Sequence, residues 1–313
     1  MSFFALILAL LIEQVRPLPD GNGLHKAVSS WNHWARELLP HDPVRNAWWA
    51  WALVVVLPSV LVFCVHVLLV HLLGWFLAMA WTCLVLYACL GFRQFSHHFS
   101  TVRNAISSGQ YDDAAQALAR WKQVDKISTD PTELNRQLIE CATRSSQRHV
   151  FGVVFWFSLL AALGLGPIGA VMYRLTAMNH HDWTSTQDDL VLNPGGHAEV
   201  AKRAWHLVDW MSSRVTALMF AIAGNFEDAM DAWRSQALRQ NLTNDEVLIC
   251  ATSGAIGVEL SPQSKAQVRT EAYATASSTP QVHHLRSLVG LVWRTMVIWV
   301  VLLGLLTLAR LLG

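Results

Sequence analysis

Apolar and polar blocks alternate along the whole chain, and several of the apolar blocks have the length of a membrane span. Residues 48–70, 74–92 and 150–178 run almost without charged side chains, and residues 288–313 do the same. A helix needs about 20 apolar residues to cross a bilayer. Each of these four blocks therefore predicts a membrane-spanning helix.

Two further blocks fit a membrane helix less well. Residues 2–12 are apolar but short, and residues 205–223 contain Asp209 and Arg214. No basic residue precedes the first block and no small-residue cleavage site follows it, so we interpret it as an uncleaved helix. The pattern predicts an all-α, polytopic membrane protein with five or six transmembrane helices and two cytoplasmic helical segments.

The polar segments between these blocks also carry helix signals. Gly109 and Asp112 predict a helix–turn–helix within residues 105–124. Asp130 and Pro131 predict the start of another helix, which leads to the next apolar block. We predict two N-terminal spans and the short first helix, a basic helical segment, a membrane core, a second helical segment and a final span, at residues 1–92, 93–149, 150–223, 224–287 and 288–313.

Basic residues are distributed unevenly among the connecting segments. Residues 14–47, 93–149 and 224–287 carry 4, 8 and 5 Lys or Arg, whereas residues 71–73 and 179–203 carry 0 and 2. If every block spans, alternation places the three basic segments on one side. The positive-inside rule makes that side the cytoplasm of a bacterial-type inner membrane.

Composition agrees with a membrane protein and excludes some classes of site. The chain is 53% hydrophobic and 14% charged, against about 25% charged residues in soluble domains. The net charge of +1 says nothing about nucleic acid, but the lack of a basic stripe or an aromatic RNA-binding signature predicts no nucleic-acid partner. The five cysteines are isolated and paired histidines diverge on a helix, so no metal site is predicted. The expected partners are the lipid bilayer and a membrane protein.

Candidate chemistry concentrates between Glu140 and residue 179. Arg144, Arg148 and His149 precede a long apolar block that holds a lone arginine, Arg174. Charged groups inside a membrane cost roughly 2.5–3.5 kcal/mol on insertion scales, so they face a partner or a polar cavity. We expect Asp209 to meet Arg174, either as an ion pair that fixes helix packing or as part of a ligand cavity.

Several motifs then give a family resemblance. Residues 213–218 (S-R-V-T-A-L) resemble P-A-R-L-T-A-L, and residues 253–260 (S-G-A-I-G-V-E-L) resemble A-G-A-L-G-V-x-L. Glu140 precedes the apolar block, and Tyr173 and Arg174 follow in the order that the family shows. Over about residues 93–260 the chain resembles the CobD/CbiB family of cobalamin-biosynthesis membrane proteins, and more distantly the AmpE proteins associated with β-lactamase regulation.

The resemblance implies an activity and also places it in doubt at particular residues. Synthases of this family join an aminopropanol unit to a carboxylate of adenosylcobyric acid, with ATP and Mg²⁺. Their signature E-x-x-x-E-N-x-x-D-G keeps Glu140, but Arg144 and Arg148 stand where acids are expected. In Y-[RK]-x-x-N-T-L-D-S, Ala177 and His180 replace the Asn and the Asp. Because carboxylates suit Mg²⁺ and arginines suit anions, a Mg²⁺–ATP site on those acids should not survive.

Two hypotheses follow from these substitutions. The preferred one is a non-catalytic or repurposed family member, without a resident cofactor, that binds a phosphate-bearing or corrinoid ligand or acts in signalling as the AmpE group does. The alternative is a divergent synthase that uses Mg²⁺ and ATP, with Glu140 as its catalytic residue. The predicted ligand-binding residues are Arg144, Arg148, His149, Tyr173, Arg174, Asp209 and Arg214.

Overall fold

The computed structural model describes residues 2–15, 23–38, 44–184, 196–237, 243–260 and 278–312. Within these ranges the chain is helical, apart from turns and one isolated β-bridge between Val258 and Ser278. The predicted all-α class is therefore confirmed for the described residues. Parts of the predicted segments 179–203 and 224–287 lie outside them, namely residues 185–195, 238–242 and 261–277.

The helices are, in chain order, α1 (Ser2–Val15), α2 (Gly23–Leu38), α3 (Val44–Leu72), α4 (Trp75–Cys89), α5 (Phe92–Ser107), α6 (Tyr111–Lys122), α7 (Pro131–Ser146), a π-helical turn (Gln147–Phe151), α8 (Gly152–Ala162), α9 (Ile168–Thr184), α10 (His197–Ala223), α11 (Phe226–Ala237), α12 (Asn244–Ile256) and α13 (Val282–Leu312).

The internal contacts divide the chain into two compact units. Unit 1 contains residues 1–91 and 148–212, and unit 2 contains residues 92–147 and 213–313. Each unit thus combines two stretches that are distant in sequence, whereas the predicted division followed chain order. Apolar periodicity shows where helices lie, but it does not show which of them pack together.

Among the described residues, two helices are long and apolar enough to cross a membrane, by length and composition. They are residues Asn46–Leu72 of α3 and Val282–Ala309 of α13, whose most apolar 18-residue stretches have mean hydropathies of 2.9 and 2.1. They contain the predicted span 48–70 and the part of the predicted span 288–313 up to residue 309. The apolar helices α1 and α4 have 14 and 15 residues, or about 21–23 Å of helix, against a bilayer core of about 30 Å. The predicted number of spans stays a prediction.

Residues 150–178 do not form one continuous helix, so the prediction of a single helix there is wrong. The chain leaves helical geometry between α8 and α9, where Gly164 and Gly166 have φ angles of +82° and +61°. Glycine adopts this left-handed region without steric cost. Pro167 follows immediately, and it lacks the backbone N–H that a continuing helix would use.

Helices α8 and α9 pack against each other on either side of this break. Their backbones come close at Gly169, where an added Cβ atom would overlap the carbonyl group of Trp156. The remaining contacts of unit 1 place α9 against α3, α4 and α2, and place α1 against α4. Helix α9 therefore lies among the other helices of unit 1.

Unit 2 contains a large apolar core. Helices α5, α6 and α7 contribute most of its side chains, and residues 249–260 and the start of α13 complete it. Its buried members include Phe95, Phe99, Val102, Leu118, Leu134, Leu138, Ile139, Ile249, Val258, Leu260, Leu285 and Leu288. This core holds together residues that are nearly 200 positions apart in sequence.

The local helix signals in unit 2 are confirmed. Gly109 lies between α5 and α6 with a φ of +76°, as the predicted helix–turn–helix requires. The Asp130 side chain accepts a hydrogen bond of 2.9 Å from the backbone N–H of Glu133, with Pro131 in the first turn of α7. Such caps satisfy amide groups that the first turn leaves without partners.

Candidate functional site

A buried hydrogen-bond network joins α9 to α10 in unit 1. The Tyr173 hydroxyl donates to Oδ1 of Asp209 over 2.8 Å, and the Ser212 hydroxyl donates to the same oxygen over 3.0 Å. Tyr173 is 0% exposed and Asp209 is 1% exposed. A buried carboxylate needs such donors to offset its lost hydration. The sequence predicted Arg174 as the partner of Asp209, but this hydrogen bond comes from its neighbour Tyr173.

The Tyr173 ring fits against α8 because residue 152 is glycine. A Cβ atom built on Gly152 would overlap three atoms at the hydroxyl end of the Tyr173 ring. The close approach of the two helices therefore sets the position of the Tyr173 hydroxyl. Gly152 thus affects the hydrogen bond between Tyr173 and Asp209 through the position of the Tyr173 ring.

Trp205 lies one turn before Asp209 on α10 and packs against three of the polar side chains. Its ring centroid lies 5.4 Å from that of Tyr173 and 5.7 Å from that of His180. The guanidinium carbon of Arg148 lies 5.6 Å from the Trp205 ring centroid. This distance is within the range of a cation–π interaction.

Arg148 and His149 lie in the π-helical turn at Gln147–Phe151. Such turns add one residue to a helix and are frequent at functional sites. Arg174 Nη1 lies 3.0 Å from His149 Nδ1, and because arginine only donates, Nδ1 must be the unprotonated ring nitrogen. Glu13, which is buried on α1, also acts electrostatically on Arg174.

The remaining predicted residues lie in unit 2. Glu140 Oε1 accepts a hydrogen bond from Arg136, one turn earlier on α7, and Glu140 Oε2 lies 3.9 Å from Arg144 Nη2. Arg136 also contacts Glu133 at 2.5 Å, and its hydrogen bond holds the pKa of Glu133 below its usual value. Both oxygens of Glu140 therefore face guanidinium groups.

Two arginines of unit 2 meet the first turn of α12. Arg144 Nε forms an ion pair of 3.3 Å with Asp245, and Arg214 Nη1 donates to Asn244 Oδ1 over 3.1 Å. The structure thus connects Arg148, His149, Tyr173, Arg174 and Asp209 through contacts inside unit 1. The contacts of Arg144 and Arg214 with the start of α12 lie inside unit 2.

A comparison with protein-family models identifies the family of the chain. The model described as CobD/Cbib protein matches residues 3–292. The chain belongs to the CobD/CbiB family. The resemblance that the sequence motifs gave is therefore confirmed, and it extends beyond the range 93–260 that carried it.

Two curated relatives in the CobD/CbiB family bear the name cobalamin biosynthesis protein CobD. The protein from Stutzerimonas stutzeri strain A1501 is 26% identical over 253 residues, which cover 78% of this chain and 80% of the relative. The protein from Chromobacterium violaceum is 28% identical over 220 residues, which cover 70% and 68%. No solved structure shows significant similarity to the chain.

Sequence reasoning missed several residues of this CobD/CbiB family member. Gly152, Ser212 and Trp205 support or pack against Tyr173 and Asp209, and Arg136 pairs with Glu140. Trp205 and Arg136 each lie four residues before the acid they accompany, which puts them on the same helix face. That spacing was the available signal. The contact of Gly152 with Tyr173 has no such signal, because it depends on how two helices pack.

The described residues of both units offer few combinations of metal-ligating side chains. No group of three or more His, Cys, Asp or Glu side chains there could hold a metal ion. All five cysteines are free thiols. The paired histidines of α5 and α13 lie beside each other as ring contacts, at 6.0 Å and 3.6 Å between centroids.

His180 gives unit 1 a predicted dependence on pH. Burial, and then the charges of Arg148, His181 and Lys202, lower the pKa of His180 to about 4, against about 6.5 in an unfolded chain. Between these values the unfolded state binds the proton more readily, so stability is complete above about pH 6.5 and falls toward pH 4. We expect the Tm in detergent to fall over this range, and to fall less in His180→Gln.

The control for this measurement is His206→Gln, which changes an exposed histidine on α10 of the same unit. It should follow the wild-type Tm at every pH. Equal pH dependence in His180→Gln and in the wild type would show that His180 does not carry the effect.

Proposed function

We propose that this chain is a multi-pass membrane protein of cobalamin biosynthesis that binds an anionic ligand and does not use the Mg²⁺–ATP chemistry of the synthases. Its family and the names of two curated relatives support the pathway. The apolar helices α3 and α13 support the membrane location. The basic segments would face the cytoplasm, as the positive-inside rule predicts.

The environment of Glu140 is the single observation that supports a protein without synthase activity. In the family signature this carboxylate would serve Mg²⁺, which prefers oxygen ligands. Here one of its oxygens accepts a hydrogen bond from Arg136 and the other faces Arg144. A magnesium ion at Glu140 would have to displace one guanidinium and tolerate the charge of both. The residues present do not fit the metal.

The ligand class follows from the cationic side chains of unit 1. The guanidinium carbon of Arg148 lies over the ring of Trp205, 5.6 Å from its centroid. Arginine edges match phosphate and carboxylate groups in two-point hydrogen bonds. Asp209, which lies beside Tyr173 and Trp205, accepts hydrogen bonds from two neutral hydroxyls. A phosphate or a corrinoid carboxylate is the group that this arrangement favours.

The second candidate is a divergent synthase that forms the amide between an aminopropanol unit and adenosylcobyric acid. The match to the family model over residues 3–292 favours it, as do the retained Glu140 and Tyr173. In that case Glu140 would leave its arginines on loading of Mg²⁺ and ATP. A signalling role like that of the AmpE proteins remains part of the first proposal.

Genetic rescue separates the two candidates. The gene is expressed in a strain that lacks its own cobinamide synthase, and cobalamin-dependent growth is scored with the protein shown to be in the membrane. We expect no growth. Growth that is lost in Glu140→Gln would overturn the proposal in favour of the synthase.

Binding tests the ligand class directly. Purified full-length protein is titrated with adenosylcobyric acid and, separately, with inorganic phosphate. We expect Arg148→Gln to weaken binding at least about tenfold, the equivalent of one lost charge-assisted hydrogen bond. Arg203→Gln, an exposed arginine of the same unit, is the matched control. Unchanged affinity in Arg148→Gln would show that Arg148 does not bind the ligand, and it would contradict the proposed anionic site.

A further inference from the structure

A groove lies between α5 and α13 on unit 2. Phe92, Phe95 and Phe99 of α5 line it together with Trp293 of α13, and Arg103 lies at its other end. Its volume is about 90 Å³, against roughly 300–1,000 Å³ for pockets that take small-molecule ligands. A corrinoid is therefore too large for it, whereas an extended chain or a small head group fits.

The groove has an apolar end and a cationic end. Phe92 and Trp293 meet edge to face at 5.1 Å, and Arg103 is eleven residues further along α5, which is about 16 Å of helix. The Ser100 hydroxyl donates a hydrogen bond to the Ser96 carbonyl. Arg103 is the charged hydrogen-bond donor among the residues that line the groove. Among the described residues, Arg103 donates to the neutral side chain of Asn104 over 3.1 Å.

The two helices that form the groove carry charges of one sign. Neither α5 nor α13 contains an aspartate or a glutamate in its whole length, whereas both contain arginines. A groove between them is therefore complementary to a negatively charged group. Because Arg103 lies at one end of it, that group belongs at the Arg103 end.

The apolar end continues into a surface that fits the interior of a bilayer. Trp293 is 44% exposed and begins a stripe on α13 that repeats at helical spacing. Its further members are Val297, Val301, Leu305 and Leu308, each more than half exposed. The stripe is about 22 Å long, and tryptophan is typical of the boundary between the hydrocarbon core and the head groups.

We propose that this groove binds one anionic phospholipid, with its phosphate at Arg103 and the upper part of an acyl chain along Phe92 and Trp293. The groove accounts for both parts of such a molecule, since its cationic end and its apolar end lie in line along α5. A soluble anion would use the first end alone. The site is separate from the contacts of Tyr173 and Asp209, and it goes beyond the proposed function.

Lipid binding is measured on the delipidated full chain in detergent by native mass spectrometry. Phosphatidylglycerol is the anionic probe, phosphatidylcholine is the zwitterionic probe, and inorganic phosphate is the soluble competitor. We expect one phosphatidylglycerol to bind in preference to phosphatidylcholine. Arg103→Gln should weaken phosphatidylglycerol binding at least about tenfold, and Trp293→Ala should weaken the binding of both lipids.

The matched control is Arg120→Gln, which removes an exposed arginine of α6 in the same unit and should leave binding unchanged. Arg103→Lys keeps the charge and should retain most of the preference, so it replaces Arg103→Gln if that variant does not fold. Equal binding of the two lipids, or equal effects of Arg103→Gln and Arg120→Gln, would overturn the proposal. Full displacement by inorganic phosphate would show a soluble anion at Arg103. None of these readouts depends on cobalamin synthesis.

Discussion

Substituting Gly152 by alanine is expected to destabilise unit 1 by about 1–3 kcal/mol, the usual cost of forcing one extra carbon into a packed interior. The added methyl group would overlap the ring of Tyr173, which is fully buried and cannot move into solvent. Displacement of the ring would also lengthen its hydrogen bond to Asp209. Thermal unfolding of the purified protein in detergent measures the effect.

Gly290→Ala is the control for this substitution, because it makes the same chemical change inside α13. The nearest atom to its added methyl group is the end of the Arg294 side chain at 3.9 Å. Alanine is favoured over glycine in a helix by roughly 0.5–1 kcal/mol, so this variant should be as stable as the wild type or more so. Equal losses in the two variants would show that the contact with Tyr173 has no special cost.

Removing the Tyr173 hydroxyl should have the second large effect. Tyr173→Phe keeps the ring but removes a hydrogen-bond donor to Asp209 Oδ1. A buried acceptor that loses a donor costs about 1–3 kcal/mol, and a charged acceptor costs more. We therefore expect a lower Tm in detergent. Tyr111→Phe, at a tyrosine that is 38% exposed, should change the Tm little.

A double-mutant cycle with Asp209→Asn assigns this loss to the pair. If the hydroxyl and the carboxylate act together, the double variant should lose at least about 1 kcal/mol less than the sum of the single variants. Additive losses would mean that Tyr173 stabilises the unit through its ring alone.

Local signals at helix ends and turns gave the predictions from the sequence that the structure confirms most closely. Asp130 and Pro131 predicted the start of α7, and Gly109 predicted the turn after α5, because caps and left-handed turns depend on one or two residues. Tyr173 and Asp209 were both singled out, and the structure joins them. In each case the chemistry of the residue itself restricts where it can lie.

Tertiary packing was what the sequence could not supply. The apolar run 150–178 looked like one helix because hydropathy does not register two positive φ angles at Gly164 and Gly166. The π-helical turn that carries Arg148 has no characteristic amino-acid composition from which it could be predicted. The division of Arg144 and Arg148 between two units, although they are one turn apart in sequence, depends on helix contacts that no local pattern encodes.

The core of unit 2 bears on how many times the chain crosses a membrane between α7 and Ile249. It unites α5, α6 and α7 with residues 249–260 and the start of α13. If this core lies in the aqueous phase, all of these parts lie on one side of the membrane. The chain leaves that core after α7 and returns to it by Ile249. In that case it crosses the bilayer an even number of times in between. The α8–α9 segment and α10 either both carry the chain across, as residues 150–178 and 205–223 were predicted to do, or both leave it on the side where it began.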